Sequence, residues 1–539
     1  MNLTTLFFLI FSNILLATLS LGTLSQFKGK IWLKIGLILC FYIAYAIFLN
    51  RIWSFNIGLF LLCYVVPSGT MTAIVFFSKV VLKKSKMGDF TFIYYTVEGK
   101  ELLLHNPFRS FAIFGGNGSG KTKSIIKPTI ENMARLNFAG IIYDYKKFDI
   151  SRCAFTQYSK HCSSVRTRFV NFFDVRYSNF INPILPEYLP NNAYILQTAR
   201  TLFKNLSKGE DNKSDSYFEP AAESVLAGII LRLKLDYPQY CTLPHVIAII
   251  TSNDINYKQL ANFLCGNDES AQLASPFIQI TASEKTAVSI TSTLATKFNI
   301  LLIPELFYVL SKNDFSLDLN NPKTPTLLCI SNYQALDEVF SPIIATIISV
   351  ALKQMNVDGK HHSAIILEEG ATLKIPGFDN TPATARENKI ASFFLAQDMV
   401  QIEAVYGKVG KDKLLSNLNN QFYGLVRDPN TAAWYSKMFG KIDKVYKSTT
   451  RRAMESSSSE TTSTREVDMY PPETFMNLDS GQFCGVFVDS NHKKINAQFR
   501  MYDEPEHDIP MIHEYVKDID VRKRYDEIRN EVRELLSNF

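Results

Sequence analysis

The order of apolar and polar positions divides the chain into stretches of different character. Residues 3–24 and 31–49 are nearly unbroken apolar runs, each long enough to cross a hydrocarbon core of about 30 Å as a helix. A third run, 52–82, is interrupted by Pro67-Ser68-Gly69 and reads either as one kinked span or as two short ones. Beyond residue 88 the period changes. Residues 91–106 alternate as a short β-hairpin, and 110–114 form a continuous apolar run suited to a buried strand. From about Asn192 to Phe315 strand signals vanish, and helical periodicity predicts helices over 194–206, 217–235, 243–250, 257–263 and 284–301. Strand and helix alternate again from 325–331 onward. The expected fold is α/β, a nucleotide-binding domain interrupted by an all-α domain and preceded by transmembrane helices, with divisions at 1–88, 89–190, 191–318, 319–505 and 506–539. The last segment reads as a helix from 511 to 539 whose apolar face takes in Ile512, Tyr515, Ile519, Tyr525, Ile528, Val532 and Leu535. Residues 448–465, rich in serine and threonine, read as a mobile loop between two strand-like segments.

Charge orients the apolar region. Residues 1–88 contain no acid and eight bases: Lys28, Lys30, Lys34, Arg51, Lys79, Lys83, Lys84 and Lys86. Basic loops stay on the cytoplasmic side. Three spans then put Lys28, Lys30 and the Lys79–Lys86 cluster inside, Arg51 outside, and everything after residue 88 in the cytoplasm. Two or four spans are the alternatives, because Lys34 adjoins a span start and the third run has two halves. The remainder carries 49 bases against 51 acids, so the formal charge of +6 over 539 residues conceals a slightly acidic soluble part. A polyanion must therefore be held by local patches. Lys408–Lys413, Lys444–Lys447 and Arg451-Arg452 are candidates, and none is dense. The eight cysteines form no CxxC pair and the histidines no HExxH, which points to reduced thiols rather than a zinc or disulfide framework.

Chemistry enters after the 110–114 strand. Gly115-Gly116-Asn117-Gly118-Ser119-Gly120-Lys121-Thr122 is G-x-x-x-x-G-K-[ST], placed between a strand and a helical run. Glycines let backbone N–H groups curl around a β-phosphate at a helix N-terminus, Lys121 reaches the β and γ oxygens, and Thr122 offers a hydroxyl to Mg²⁺. The expected ligand is a nucleoside triphosphate with Mg²⁺. Such a site also needs an acid at the end of a neighbouring strand. Residues 363–367 followed by Glu368-Glu369 supply a pair, with Glu368 on the metal and Glu369 on the attacking water. Asp144, closing the apolar run 140–143, is the rival. The run 391–396 ends in Gln397, a position from which an amide can sense a γ-phosphate, and Arg386 precedes that run on a short helix.

The ordered set of features resembles the type IV secretion coupling proteins, TraG/TraD-type conjugation ATPases of the FtsK/HerA-like superfamily with a RecA-like P-loop domain. The residues that carry the resemblance are the amino-terminal apolar runs, GGNGSGKT, Asn182-Pro183, the segment beginning Asp215-Ser216-Tyr217-Phe218-Glu219-Pro220, the acid pair, Arg386 before Gln397, and Leu478-Asp479-Ser480-Gly481-Gln482. It implies that Gly115–Thr122 bind Mg-ATP, that Glu368 and Glu369 form the Walker B pair, that Gln397 reads the γ-phosphate, and that Arg386 is an arginine finger acting on a neighbouring subunit's nucleotide. It also implies a homo-hexamer at the bacterial inner membrane, its ATPase domain in the cytoplasm, whose channel takes single-stranded DNA with a relaxase, or effector proteins, toward a type IV secretion channel. The family usually has Asp-Glu where this chain has Glu368-Glu369, and its Asp-x-Lys segment matches Asp144 and Lys146. The rival classes are an FtsK-like double-stranded DNA translocase, which calls for a basic winged helix at the C-terminus, and an ATP-binding receptor that recruits cargo without pumping it.

Overall fold

The computed structural model describes residues 90–207, 219–252, 256–451 and 458–539. The expected membrane spans lie outside the described residues. Of the two units into which the chain divides, Met1–Asp89 and Phe90–Phe539, the second holds everything that follows.

Its strands, in chain order, are β1 (Phe92–Tyr95), β2 (Glu101–Leu104), β3 (Phe111–Phe114), β4 (Ala139–Asp144), β5 (Arg166–Val170), β6 (Thr326–Ser331), β7 (Ser363–Leu367), β8 (Ile390–Ala396), β9 (Asn420–Tyr423), β10 (Lys441–Arg451), β11 (Ser458–Asp468), β12 (Gln482–Val486) and β13 (Lys494–Gln498). β1 and β2 pair as an antiparallel hairpin. Nine strands form one sheet in the order β13-β12-β9-β3-β8-β7-β4-β6-β5. The seven from β9 to β5 are parallel, and β12 and β13 extend the β9 edge antiparallel. β7 (SAIIL) and β8 (IASFFLA) are buried at every residue, as parallel strands covered on both faces must be. Ile365 and Leu367 join a core shared with helix Asp337–Met355 and the inserted helices. Ala364 and Ile366 join a second core with Ile130 and Met133 of helix Lys127–Arg135, Cys153 of helix Asp149–His161, and the β1–β2 hairpin.

Between β5 and β6 the described chain forms helices Asn192–Leu206, Glu219–Asp236, Leu243–Ile250, Tyr257–Cys265, Asp268–Leu273, Ser275–Ile280, Glu284–Asn299 and Pro304–Leu310. Three of these, at 268–273, 275–280 and 304–310, escape a periodicity search because one or two turns give too few repeats of 3.6. Local signals mark them instead: Asn267 caps the first by accepting from Glu269 N and Ser270 N, and proline stands at the start of the other two. Among the described residues one helix, Gln334–Met355, is long and apolar enough to cross a membrane, with mean hydropathy 1.7, yet 72% of its most apolar window is buried. It fills the core against the sheet.

Two expectations need correction. The serine- and threonine-rich stretch is no loop over its described part: β10 and β11 pair antiparallel from Lys441↔Asp468 to Arg451↔Ser458. Threonine has high strand propensity when a partner strand faces it, and polar composition alone hides this. The final helix is also shorter than expected, Asp518–Leu536. Asp520 reaches back to accept from Lys517 N at 3.0 Å and fixes its start. Ile512 and Tyr515 therefore precede the helix, Tyr515 is 88% exposed and Ile519 71%. Val521, Ile528, Val532, Leu535 and Leu536 are the side chains it buries, and the Phe307 and Tyr525 rings meet at 4.7 Å.

Candidate active site

Parallel strands gather their C-terminal ends on one edge of the sheet, and the loops leaving β3, β8, β7 and β4 meet there. β3 leads into the glycine loop, and the chain enters its helix at Gly120 through a left-handed residue, φ 87°. The helix opens with a widened π turn, Lys121–Ile126, before Lys127–Arg135. Its first N–H groups have no intrahelical acceptor, and the positive end of the helix dipole faces the loop. Glycine is required at Gly120 by contact as well as by φ, since a Cβ there would lie 2.6 Å from Gly481 N. Gly481, itself at φ 84°, donates from that nitrogen to Ser119 O at 2.9 Å. The turn before β12 thus braces the loop from outside.

Lys121 Nζ donates to the Gly115 carbonyl and, at 3.4 Å, to that of Gly116. Burial lowers its pKa to about 8, and the charge of Glu369 works against that fall. Such an ammonium lacks a full counter-charge, a condition that a phosphate corrects.

β7 ends at Leu367 and delivers the two acids. Glu368 is 4% exposed. Its Oε1 accepts from Thr122 Oγ1 at 3.3 Å and its Oε2 from Tyr145 N at 3.2 Å. Burial, reinforced by the charge of Asp144, raises its pKa. Glu369 holds a left-handed backbone at φ 56°, a conformation that costs a non-glycine residue about 1–2 kcal/mol. Its Oε2 accepts from Gln397 Nε2 at 3.3 Å, and its Oε1 is buried without a hydrogen-bond partner, as is Ser119 Oγ in the loop. Burial raises the Glu369 pKa, while Lys121 and Gln397 pull it down. Because β8 lies between β3 and β7, Gln397 stands between the glycine loop and the acid pair.

These groups enclose a cavity of about 340 Å³ lined by Gly116–Lys123, Tyr145, Lys146, Glu368, Glu369, Leu395, Ser480 and Met501. The structure thus brings together Gly115, Gly116, Asn117, Gly118, Ser119, Gly120, Lys121, Thr122, Glu368, Glu369 and Gln397. It does not bring in Arg386, which lies exposed two residues beyond the helix Thr381–Thr384, at the N-terminal end of β8. A strand of seven residues spans about 20 Å, so Arg386 cannot reach the loop of its own chain. Asp144 is fully buried and accepts from Ser151 N, Ser151 Oγ and Lys146 N at 2.9, 2.7 and 3.0 Å, which makes it the residue that shapes the turn after β4. Leu395, Met501 and the Tyr145 amide carry no sequence signal as site residues. Ser480-Gly481 had one, in a glycine directly before a strand.

A family model described as type IV secretory system conjugative DNA transfer matches residues 75–521. No curated protein matches the chain. Among solved structures, the unbound bacterial conjugative coupling protein TrwBdeltaN70 is similar at 14% identity and TM-score 0.57, with 77% of this chain and 90% of that one covered. The plasmid coupling protein TrwB with the GTP analogue GDPNP is similar at 15% identity and TM-score 0.58, covering 75% and 88%. TrwB with ADP and Mg²⁺ is similar at 14% identity and TM-score 0.55, covering 75% and 87%. These likenesses identify the fold, an α/β architecture on a large, mostly parallel sheet.

Proposed function

The chain belongs to the type IV secretory system family for conjugative DNA transfer, and from that membership and the site geometry we propose that it is a membrane-anchored ATPase. In this reading it works as a homo-hexamer at the cytoplasmic face of the inner membrane. It moves relaxase-bound single-stranded DNA, or protein substrates, into a type IV secretion channel. The observation that carries the reading is the meeting of Lys121 and Thr122 with Glu368 and Glu369 in one cavity, with Gln397 donating to Glu369 behind them, drawn from three adjacent strands. Complexes of TrwB with ADP and Mg²⁺ and with an ATP analogue support ATP as the ligand.

Lys121 turns from the Gly115 carbonyl onto the β and γ oxygens. Thr122 and Glu368, in contact at 3.3 Å with the carboxyl short of positive charge, fit a Mg²⁺ ion, which would neutralise phosphate charge. Glutamate in place of the family's usual aspartate moves that carboxylate by about one methylene. Gln397 holds Glu369 and the attacking water in line. As the water oxygen bonds to the γ-phosphorus, the bridging P–O bond breaks, the electron pair leaves with ADP, and Glu369 takes the proton. Arg386, unable to act within its own chain, supplies positive charge to the neighbouring copy's phosphate across a subunit boundary. Lys121→Ala tests the whole: ATPase activity and DNA transfer are lost while membrane insertion persists, and normal transfer by this variant refutes the motor.

A further inference from the structure

Besides Lys121 the cavity is lined by Lys123 and Lys146, and of these Lys146, on the acid-pair side, is left without a role by the reaction described above. Lys146 follows the turn out of β4, on the wall across Glu368 and Glu369 from the glycine loop. Its backbone is held from two sides. Lys146 N donates to Asp144 Oδ1 at 3.0 Å, and Lys146 forms an isolated antiparallel bridge with Tyr333. The preceding amide, Tyr145 N, donates to Glu368 Oε2. The next residue departs in another direction, since Lys147 turns left-handed at φ 50° and sets its ammonium 3.9 Å over the Tyr333 ring. Of two adjacent lysines, one is thus committed to an aromatic face and the other lines the cavity. Among the described residues Lys146 makes no ion pair. Its charge nevertheless opposes that of Lys121 and favours the ionised forms of Glu368 and Glu369, so it acts within Coulombic range of all three.

We propose that Lys146 is a catalytic residue of this site, meeting the γ-phosphate from the side opposite Lys121 and stabilising the charge on its equatorial oxygens as the bridging bond breaks. A triphosphate seated on the glycine loop runs from β3 toward β7, and its third phosphate ends beside Glu369, between the two ammonium groups. Lys121 grips β and γ together and so reads the diphosphate product as well. Lys146 reads only the phosphate that leaves. Each subunit therefore carries a fixed cation of its own at the reacting end, before any neighbour contributes Arg386. The inference rests on the ATPase reading above.

The test uses the full-length protein in detergent, with Lys146→Ala, Lys146→Met and Lys146→Arg. Three quantities are measured: ATP turnover, affinity for ADP against the non-hydrolysable analogue AMP-PNP, and trapping of ADP with aluminium fluoride. Removing one fixed charge-stabilising group costs on the order of 100-fold in turnover. The Ala and Met variants are expected to lose tenfold or more in turnover, keep ADP affinity within about twofold, bind AMP-PNP more weakly and fail to trap aluminium fluoride. Lys146→Arg is expected to recover part of each. Turnover in Lys146→Ala within tenfold of the parent overturns the proposal, as does an equal loss of ADP and AMP-PNP affinity, which marks a residue that only shapes the pocket. If the parent protein does not hydrolyse ATP, the ATPase reading fails, and the ADP against AMP-PNP comparison still decides whether Lys146 touches the third phosphate.

Discussion

Replacing Glu369 with glutamine removes a charge and almost nothing else. The amide is isosteric, tolerates the φ of 56° as well as glutamate does, and keeps a carbonyl oxygen for Gln397 Nε2. A positioned general base contributes about 10²–10⁴ in rate, so Glu369→Gln should lower turnover by that factor, or about 2.7–5.4 kcal/mol of barrier. Folding stability should hold or rise slightly, because a carboxylate whose ionised form is disfavoured by burial gives way to a neutral group. ATP affinity should also hold or improve, since one negative charge near the γ-phosphate is gone. The pH profile gives a separate check. A base must be ionised to work, and burial raises the Glu369 pKa, so the parent enzyme should lose turnover on acidification at a pH above the usual carboxylate range near 4.3. Steady-state phosphate release, titration with a fluorescent ATP analogue and thermal melting measure the three quantities. A Glu369→Gln protein that melts like the parent and hydrolyses ATP within about threefold of it would refute the assignment of the base.

Burial lowers the Lys121 pKa to about 8, and phosphate binding favours its charged form, so Mg²⁺-free nucleotide affinity should fall as pH rises through that region, and Lys121→Arg should flatten the curve. Gly481→Ala places a Cβ 2.9 Å from both Ser124 Oγ and Gln498 Nε2 at a left-handed φ, and should loosen the glycine loop, lowering nucleotide affinity by about tenfold or more in a binding titration. If Arg386 acts across a boundary, inactive Lys121→Ala and Arg386→Ala proteins reassembled in equal amounts should regain about a quarter of parental ATPase activity, the chance that an intact loop meets an intact arginine in a symmetric ring; no recovery places Arg386 elsewhere. Ile528→Ala should destabilise the protein by about 2–5 kcal/mol in denaturant unfolding, whereas Tyr515→Ala should stay within about 0.5 kcal/mol.

Much of the site was legible because its chemistry is written in short, local strings. The glycine loop carries its strand before it and its helix after it, and the acid pair closes a run of five buried residues. What no string shows is which strands become neighbours. Glu368 meets Thr122 across β8, which enters between β3 and β7 from a later part of the chain, and the brace from Gly481 comes from later still. Continuous apolar runs likewise located β7 and β8, but the polar stretch 448–465 hid the facing ends of β10 and β11, which the pairing of one strand with the other holds. The last helix illustrates the converse error. Apolar residues at helical spacing run on past its true start, yet a short capping contact at Asp520 decides where winding begins.

The brace has a consequence for biosynthesis. Gly481 N reaches Ser119 O, and Tyr502 N reaches Lys123 O at 2.8 Å, so the glycine loop is finished by residues made some 360 positions after it. At ribosomal speeds that gap lasts roughly 20 to 70 s. Through that interval the growing polypeptide exposes an unbraced loop, so a shortened product ending before β12 should hold nucleotide more weakly than the finished chain.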